Sequence, residues 1–246
     1  METQKIRFVA NRPWLTDKSP SRPEPILNTI PDWYRKADSF AMNPTTGKPW
    51  EMENGGGKYP TWKACPAVFD VMGSGYAYKT PCDIEFSEDA QGNIKAKALD
   101  ERYENFLFER VPLDRFVVPQ GYHAIHFAWW PDWSVELPEG YSALYTHPLN
   151  RFEQPFLTVS GIVDNDKVKM PGTMPFFVLK GTTGLLPAGT AYAQIIPFKR
   201  EHWESDTDSS LSAEEIEIKN KQNVEKYRKP DGGIYSKEVW VRRKYT

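Results

Sequence analysis

Between Thr61 and Arg200 apolar residues recur at about every second position, in short segments that proline and glycine keep interrupting. Alternation at that period marks strands with one buried face, because successive side chains on an extended chain point to opposite sides. The pattern predicts strands at 64–72, 76–80, 82–86, 94–99, 122–129, 134–137, 142–145, 156–163, 176–180, 184–186 and 191–198. No helical stripe is apparent in this stretch, and frequent turn residues between short strands are the mark of an all-β domain.

One short phrase repeats. Val118-Pro-Gln-Gly-Tyr-His-Ala-Ile-His returns as Leu137-Pro-Glu-Gly-Tyr-Ser-Ala-Leu-Tyr and, more loosely, as Leu186-Pro-Ala-Gly-Thr-Ala-Tyr-Ala-Gln. Proline presets the first central angle of a β-turn, and glycine tolerates the left-handed angle that ends it, so each copy predicts a tight corner feeding a strand. Repeated corners suit a barrel, jelly roll or clip-like antiparallel fold. The sequence therefore divides into an N-terminal arm and loop (1–60), an all-β core (61–200) and a C-terminal helix with a basic, aromatic tail (201–246).

The arm is rich in proline, which forbids any helix longer than a turn or two. Within it IPDWYRKA (30–37) has proline at a first helical turn, and Trp33 and Tyr34 can share a face, which predicts a short docking helix. Residues 43–61, with Gly55, Gly56 and Gly57 in a row, read as a loop; no helix and Lys-Ser/Thr pair follows to make a phosphate-binding loop. After Arg200, Ser212 and Glu215 have capping-box spacing ahead of a helix over 213–227 with a thin apolar stripe of Ile216, Val224 and Tyr227. Pro230 then breaks the chain, and 234–246 alternates as a final strand would.

Composition narrows the function classes. Apolar residues make up 39% of the 246-residue chain and aromatics 14%, which supports a packed core. A net charge of −2 lacks the basic footprint of a nucleic-acid coat or a polybasic membrane binder. No run approaches the ~18 consecutive apolar residues of a membrane-spanning helix, and the N-terminus has no signal-like stretch, so a cytoplasmic location is expected. Cys65 and Cys82, both in strand-like apolar segments, read as small buried hydrophobes. No CxxC or His/Cys array points to structural zinc.

Catalytic patterns are sparse. His123 and His126, three apart on a strand, lie on opposite faces and cannot share an ion. The one His-x-acid match, His202-Trp203-Glu204, falls outside the β core, which argues against a non-haem iron site. Gly73-Ser-Gly reads as a hairpin turn, since a nucleophile elbow needs a longer glycine frame and a following helix. Asp164 and Asp166 project to the same side of an extended chain near a turn, where paired carboxylates hold Mg²⁺ or orient water. Asn150 and Arg151 follow a proline in a tight bend, where arginine meets an anion or a carboxylate. The alternative is that the acidic pair bonds its own turn backbone and salt-bridges Arg151. Trp129, Trp130 and Trp133, with Trp33 and Tyr34, are candidate anchors for protein partners, although tryptophans at strand spacing also serve a core.

The run His147-Pro-Leu-Asn-Arg, Ser160-Gly-Ile-Val-Asp and Gly189-Thr-Ala-Tyr-Ala-Gln-Ile-Ile-Pro-Phe resembles an uncharacterised family of similar length from tailed bacteriophages and some bacteria, as do IPDWYRK and the basic-aromatic tail. That resemblance implies a viral source, in the host cytoplasm or the virion. More loosely, Gly161-Ile-Val-Asp164, Phe177-Val-Leu-Lys-Gly and Leu186-Pro-Ala-Gly-Thr are similar in order to the β-clip enzymes that hydrolyse dUTP or deaminate dCTP. The second resemblance implies Asp164 as water-orienting base, Asp83 and Asp166 assisting Mg²⁺, and His147, Asn150 and Arg151 on the ligand, with Thr146-His-Pro-Leu-Asn-Arg in place of those enzymes' Ser-rich motif. Two kinds of role are expected: a non-catalytic protein binding protein partners or itself, without cofactor, or a Mg²⁺-dependent nucleotide enzyme or small-molecule binder.

Overall fold

Each of the three repeated phrases makes a corner, with its proline one place earlier than expected. Tyr122 N–H donates to Pro119 O (3.1 Å), Tyr141 to Pro138 (3.2 Å) and Thr190 to Pro187 (3.2 Å). Proline is thus the first residue of each turn. Gly121, Gly140 and Gly189 take the third position at φ of 86°, 83° and 80°, which a side chain would strain. The computed structural model describes residues 3–53, 57–110, 117–227 and 238–246.

The elements in chain order are β1 (Arg7–Ala10), β2 (Glu24–Pro25), α1 (Asp32–Lys36), α2 (Pro66–Gly73), β3 (Tyr76–Lys79), β4 (Ile84–Glu88), β5 (Ile94–Ala98), β6 (Leu107–Arg110), β7 (Tyr122–Trp129) and β8 (Trp133–Glu136). They continue with β9 (Tyr141–Thr146), β10 (Phe156–Thr158), β11 (Gly161–Val163), β12 (Met174–Leu179), β13 (Gly184–Leu186), β14 (Ala191–Lys199) and α3 (Ala213–Tyr227). All strand pairings are antiparallel, in sheets ordered β11-β9-β14-β3-β2, β10-β12-β7-β6, β13-β4-β5 and β1-β8. The described chain is mainly β, with few helices.

Two compact units emerge: Met1–Thr29 with Gly73–Arg200 and Tyr245–Thr246, and Ile30–Met72 with Glu201–Lys244. Among the described residues every sheet lies in the first unit. Its core is aromatic: Trp129 lies flat on Phe176 (centroids 3.7 Å apart, planes 7° apart) and meets Phe156 edge-on at 5.5 Å. Tyr192 and Phe106 close the cluster. Trp129 Nε1 donates to Thr158 Oγ1 (3.2 Å), whose hydroxyl donates to Tyr192 O (2.6 Å), so the one polar atom of the indole is satisfied inside the core.

The structure corrects several expectations. The predicted strand at 64–72 is α2: its eight-residue apolar run has no decisive period, and proline at a first turn followed by glycine at the end favours a helix. The run 156–163 is two strands, since β10 pairs with β12 and β11 with β9 in a different sheet. Val159 N–H, between them, donates to Pro175 O. Gly73-Ser-Gly joins α2 to β3 and makes no hairpin. Gly75 (φ +80°) is required there, because a Cβ would lie 2.0 Å from Ile195 O. Arg7–Ala10, in the expected arm, is a strand paired with β8. Cys82 is buried, whereas Cys65, just before α2, is exposed. The final strand does not form over 238–246, where the described backbone is not extended into a ladder; its start at 234–237, Pro230, and Gly55 and Gly56 lie outside the described residues.

The capping box of α3 closes reciprocally: Glu215 N–H donates to Ser212 Oγ (3.3 Å) and Ser212 N–H to Glu215 Oε2 (2.8 Å). The described side chains of α3 are all exposed. Among the described residues no helix is long and apolar enough to cross a membrane.

Candidate functional site

The acidic pair sits where β11 ends, and Arg200, one residue past β14, holds it. Arg200 Nη1 donates to Asp166 Oδ1 (2.9 Å), Nη2 to Asp166 Oδ2, and Nη1 stands 3.3 Å from Asp164 Oδ1. Gly140 N–H, at the second corner, donates to Asp166 Oδ2 (2.9 Å), and Ser142 Oγ to Asp164 Oδ1 (2.5 Å). Arg200 also donates from Nη1 to Tyr141 O (3.0 Å). The Arg200 hydrogen bond, helped by the Gly140 amide, holds the Asp166 carboxyl far below the usual carboxylate range. This cluster ties three chain segments at one end of the five-stranded sheet. Neither Arg200 nor Ser142 was singled out by sequence, because their place beside the aspartates depends on the β9–β14 register.

Arg151 lies at the other end. β9 separates it from the acidic turn by roughly 17 Å, at ~3.4 Å per residue, so the expected Arg151 bridge to Asp164 or Asp166 is corrected: their cation is Arg200. The Arg151 guanidinium is buried and donates to Thr29 O and to Thr29 Oγ1 (3.0 Å), with Glu153 3.8 Å away. Asn150 takes φ +60°, which asparagine tolerates, and Arg151 N–H donates back to Pro148 O (3.2 Å). His147 braces the same bend. Its Nδ1 accepts from Thr158 N–H (3.4 Å), which puts the proton on Nε2, 3.2 Å from Arg151 O. Burial pushes the His147 pKa down and keeps the ring neutral.

Asp83 braces the third corner: its Oδ1 accepts from Ala188 N–H (2.7 Å). Asp83, Asp164 and Arg151 therefore do not converge on one pocket. Beside that corner, Glu24, Thr29, Arg151, Gln154, Thr190 and Ala191 help line a polar hollow of about 500 Å³. Gln154 Nε2 donates to Ala191 O (2.8 Å), while its Oε1 is buried without a hydrogen-bond partner among the described residues. His123 and His126 do face opposite ways: His123 Nε2 stands 3.1 Å from Glu88, and His126 stacks on Phe177. Among the described residues no three His, Cys, Asp or Glu side chains are placed together as a metal site.

The candidate anchors divide. Trp129 and Trp133 are core residues and cannot meet a partner; Trp130 is 45% exposed. In the second unit, Trp33 is 37% exposed and lies 6.0 Å from Trp62 with planes tilted 49°, and Trp62 is 53% exposed. Tyr34, edge-on to Trp33 at 5.7 Å, is only 5% exposed, and its hydroxyl has no hydrogen-bond partner among the described residues. These rings, with Phe40, Met42 and Lys63, help line a hollow of about 340 Å³.

Local chemistry builds that hollow. α1 carries Trp33 and Tyr34, and Lys63 Nζ donates to its terminal carbonyls at Arg35 (2.5 Å) and Ala37 (2.6 Å). The loop that follows folds on itself through Ala41 N–H to Tyr59 O (2.8 Å) and Thr61 N–H to Ser39 O (3.0 Å), which brings Phe40 beside Trp62. Sequence reasoning missed Trp62 and Phe40, which stand at the two ends of a loop with no apolar periodicity.

No protein family and no curated protein matches the sequence. Among solved structures the chain is similar to EIAV dUTPase, at 12% identity over 56% of this chain and 87% of that one, TM-score 0.31. It is also similar to the dUTPase of phage phi11 of S. aureus, at 13% identity over 44% of this chain and 99% of that one, TM-score 0.27. A likeness this low carries no role from those proteins to this chain.

Proposed function

We propose that this chain is a non-catalytic binding protein that engages protein partners through the aromatic hollow of its second unit. The observation that carries the reading is the pair of exposed tryptophans, Trp33 and Trp62, lining one hollow with the buried Tyr34, whose hydroxyl has no hydrogen-bond partner among the described residues. Exposed aromatic clusters with a few placed polar groups are the anchors of recognition sites. The side chains the enzyme alternative needs have other work: Asp166 and Asp164 hold Arg200, Asp83 holds a corner, and Arg151 holds Thr29. The resemblance to phage-encoded proteins extends the proposal to a virion or assembly component, made in the host cytoplasm, that sediments with viral particles.

A panel of deoxynucleoside triphosphates with Mg²⁺ tests the reading. The expected result is no released phosphate, pyrophosphate or ammonia above buffer; turnover abolished by Asp164→Asn overturns the proposal. A second reading, capture of a nucleotide or other small molecule without turnover, is favoured by the buried Gln154 Oε1 at the polar hollow, which has no hydrogen-bond partner among the described residues. It predicts saturable binding in the same panel with no product.

A further inference from the structure

We propose that the face of α2 bearing Phe69 and Asp70 is a docking site for an aromatic-basic protein segment, and that residues 240–243 of this chain occupy it as a displaceable latch. The occupant shows what the face recognises. Trp240 Nε1 donates to Asp70 Oδ2 (3.0 Å), and the indole meets Phe69 edge-on, with centroids 6.1 Å apart and planes at 86°. Arg243 Nη1 stands 3.7 Å from the same Asp70 oxygen, and the Arg242 guanidinium lies over the Phe69 ring at 5.0 Å. Two adjacent side chains of α2 thus each take the indole and one cation. Phe69 and Asp70 do not line the aromatic hollow, so this proposal and the one above stand or fall separately.

That pairing sets the chemistry of the ligand. The carboxylate calls for an N–H donor, which an indole has and a phenyl ring lacks, and the electron-rich face of Phe69 attracts a cation. An acidic or phosphorylated segment brings like charge to Asp70. An aliphatic segment deprives that carboxylate, only 13% exposed, of both the indole N–H and the guanidinium. The latch is displaceable because of how it is held. Among the described residues 238–246 join no sheet, and the four contacts run through side chains, which a segment of another protein can present equally well. Arg243 is 67% exposed, and ion pairs and cation–π contacts at exposed positions are weak. The side chains of 201–225 are all exposed, so the chain leading from β14 through α3 buries little of itself on its way to this face. The tail's advantage over a rival of the same chemistry is its covalent attachment.

Fluorescence anisotropy of a labelled peptide of residues 238–246, titrated with the full chain carrying Trp240→Ala, tests the assignment. Removing the indole opens the α2 face and keeps the rest of the chain in place. The expected result is saturable binding below ~1 mM, weaker by about tenfold or more to the wild-type chain, whose own tail competes. A peptide of the same residues in scrambled order, which keeps the net charge, binds about tenfold more weakly or not at all. Asp70→Asn added to the Trp240→Ala chain weakens binding about 3- to 10-fold, and Arg243→Ala made in the peptide, where no fold is at stake, weakens it about 2- to 5-fold. Far-UV melting curves matching the wild type show that the chain variants fold; the peptide variants decide the matter if Asp70→Asn does not. No saturable binding, equal affinity for the wild-type and Trp240→Ala chains, or indifference to scrambling or to Arg243→Ala overturns the proposal.

Discussion

Trp129→Ala lowers the unfolding free energy by about 3–5 kcal/mol in urea titration, the range for deleting a large buried aromatic. The loss has three sources in this site: the flat stack on Phe176, the edge contact with Phe156, and the bond from Nε1 to Thr158. Marginal stability of roughly 5–15 kcal/mol makes that a large fraction of the whole. Trp129→Phe keeps the apolar ring and loses the Thr158 bond, so it destabilises less. A loss below ~1 kcal/mol for the alanine variant contradicts the placement of Trp129 at the centre of the core.

Asp132→Asn stabilises the protein at neutral pH. Asp132 is 2% exposed, its carboxylate oxygens have no hydrogen-bond partner among the described residues, and Arg12 Nε stands 3.7 Å away. Arg12 and Ser21 face it from the N-terminal segment, and the phenols of Tyr103 and Tyr192 from the core. Burial outweighs the help from Ser21 and Arg12 and pushes the Asp132 pKa up to about 6, from 3.8.

A carboxyl whose folded pKa is raised binds its proton more tightly when folded. Stability from this group is therefore greatest at low pH and is lost as pH rises from the unfolded value through about 6. The full loss is roughly 3 kcal/mol, of which roughly 2 kcal/mol falls between about pH 4.5 and 7.5. The advantage of Asp132→Asn over the wild type should grow by that amount across the interval. Comparing the two chains cancels the opposite pH trends of Asp166 and Glu24, whose pKa values are lowered. An advantage that does not change with pH contradicts this account of Asp132.

What the sequence disclosed was local. The three corners, the capping box of α3 and strands such as β7 and β13 depend on residues within a few positions of each other, so their chemistry is legible along the chain. Segment 156–163 looked like one strand because alternation does not reveal that a strand changes sheets. The helix α2 was hidden because an apolar run between proline and glycine suits a buried strand as well. For the site, the acidic pair and the bend at Asn150 and Arg151 were visible as turns, but their partners were set by register. Arg200 reaches Asp166 from 34 positions away, and Arg151 reaches Thr29 from 122 positions away. The aromatic hollow was half visible: Trp33 and Tyr34 shared a predicted helix, whereas Phe40 and Trp62 join them through a loop with no periodicity.

The central claim is that the acidic turn is architecture, closed by Arg200 and holding no metal. Thermal melting with and without about 10 mM Mg²⁺ at constant ionic strength tests it most directly. The account predicts an unchanged melting temperature with Mg²⁺, and lower ones for Asp166→Asn and Arg200→Gln that do not add in the double variant, because both break the same contact. A saturable rise with Mg²⁺ in the wild type that disappears in Asp166→Asn would contradict it.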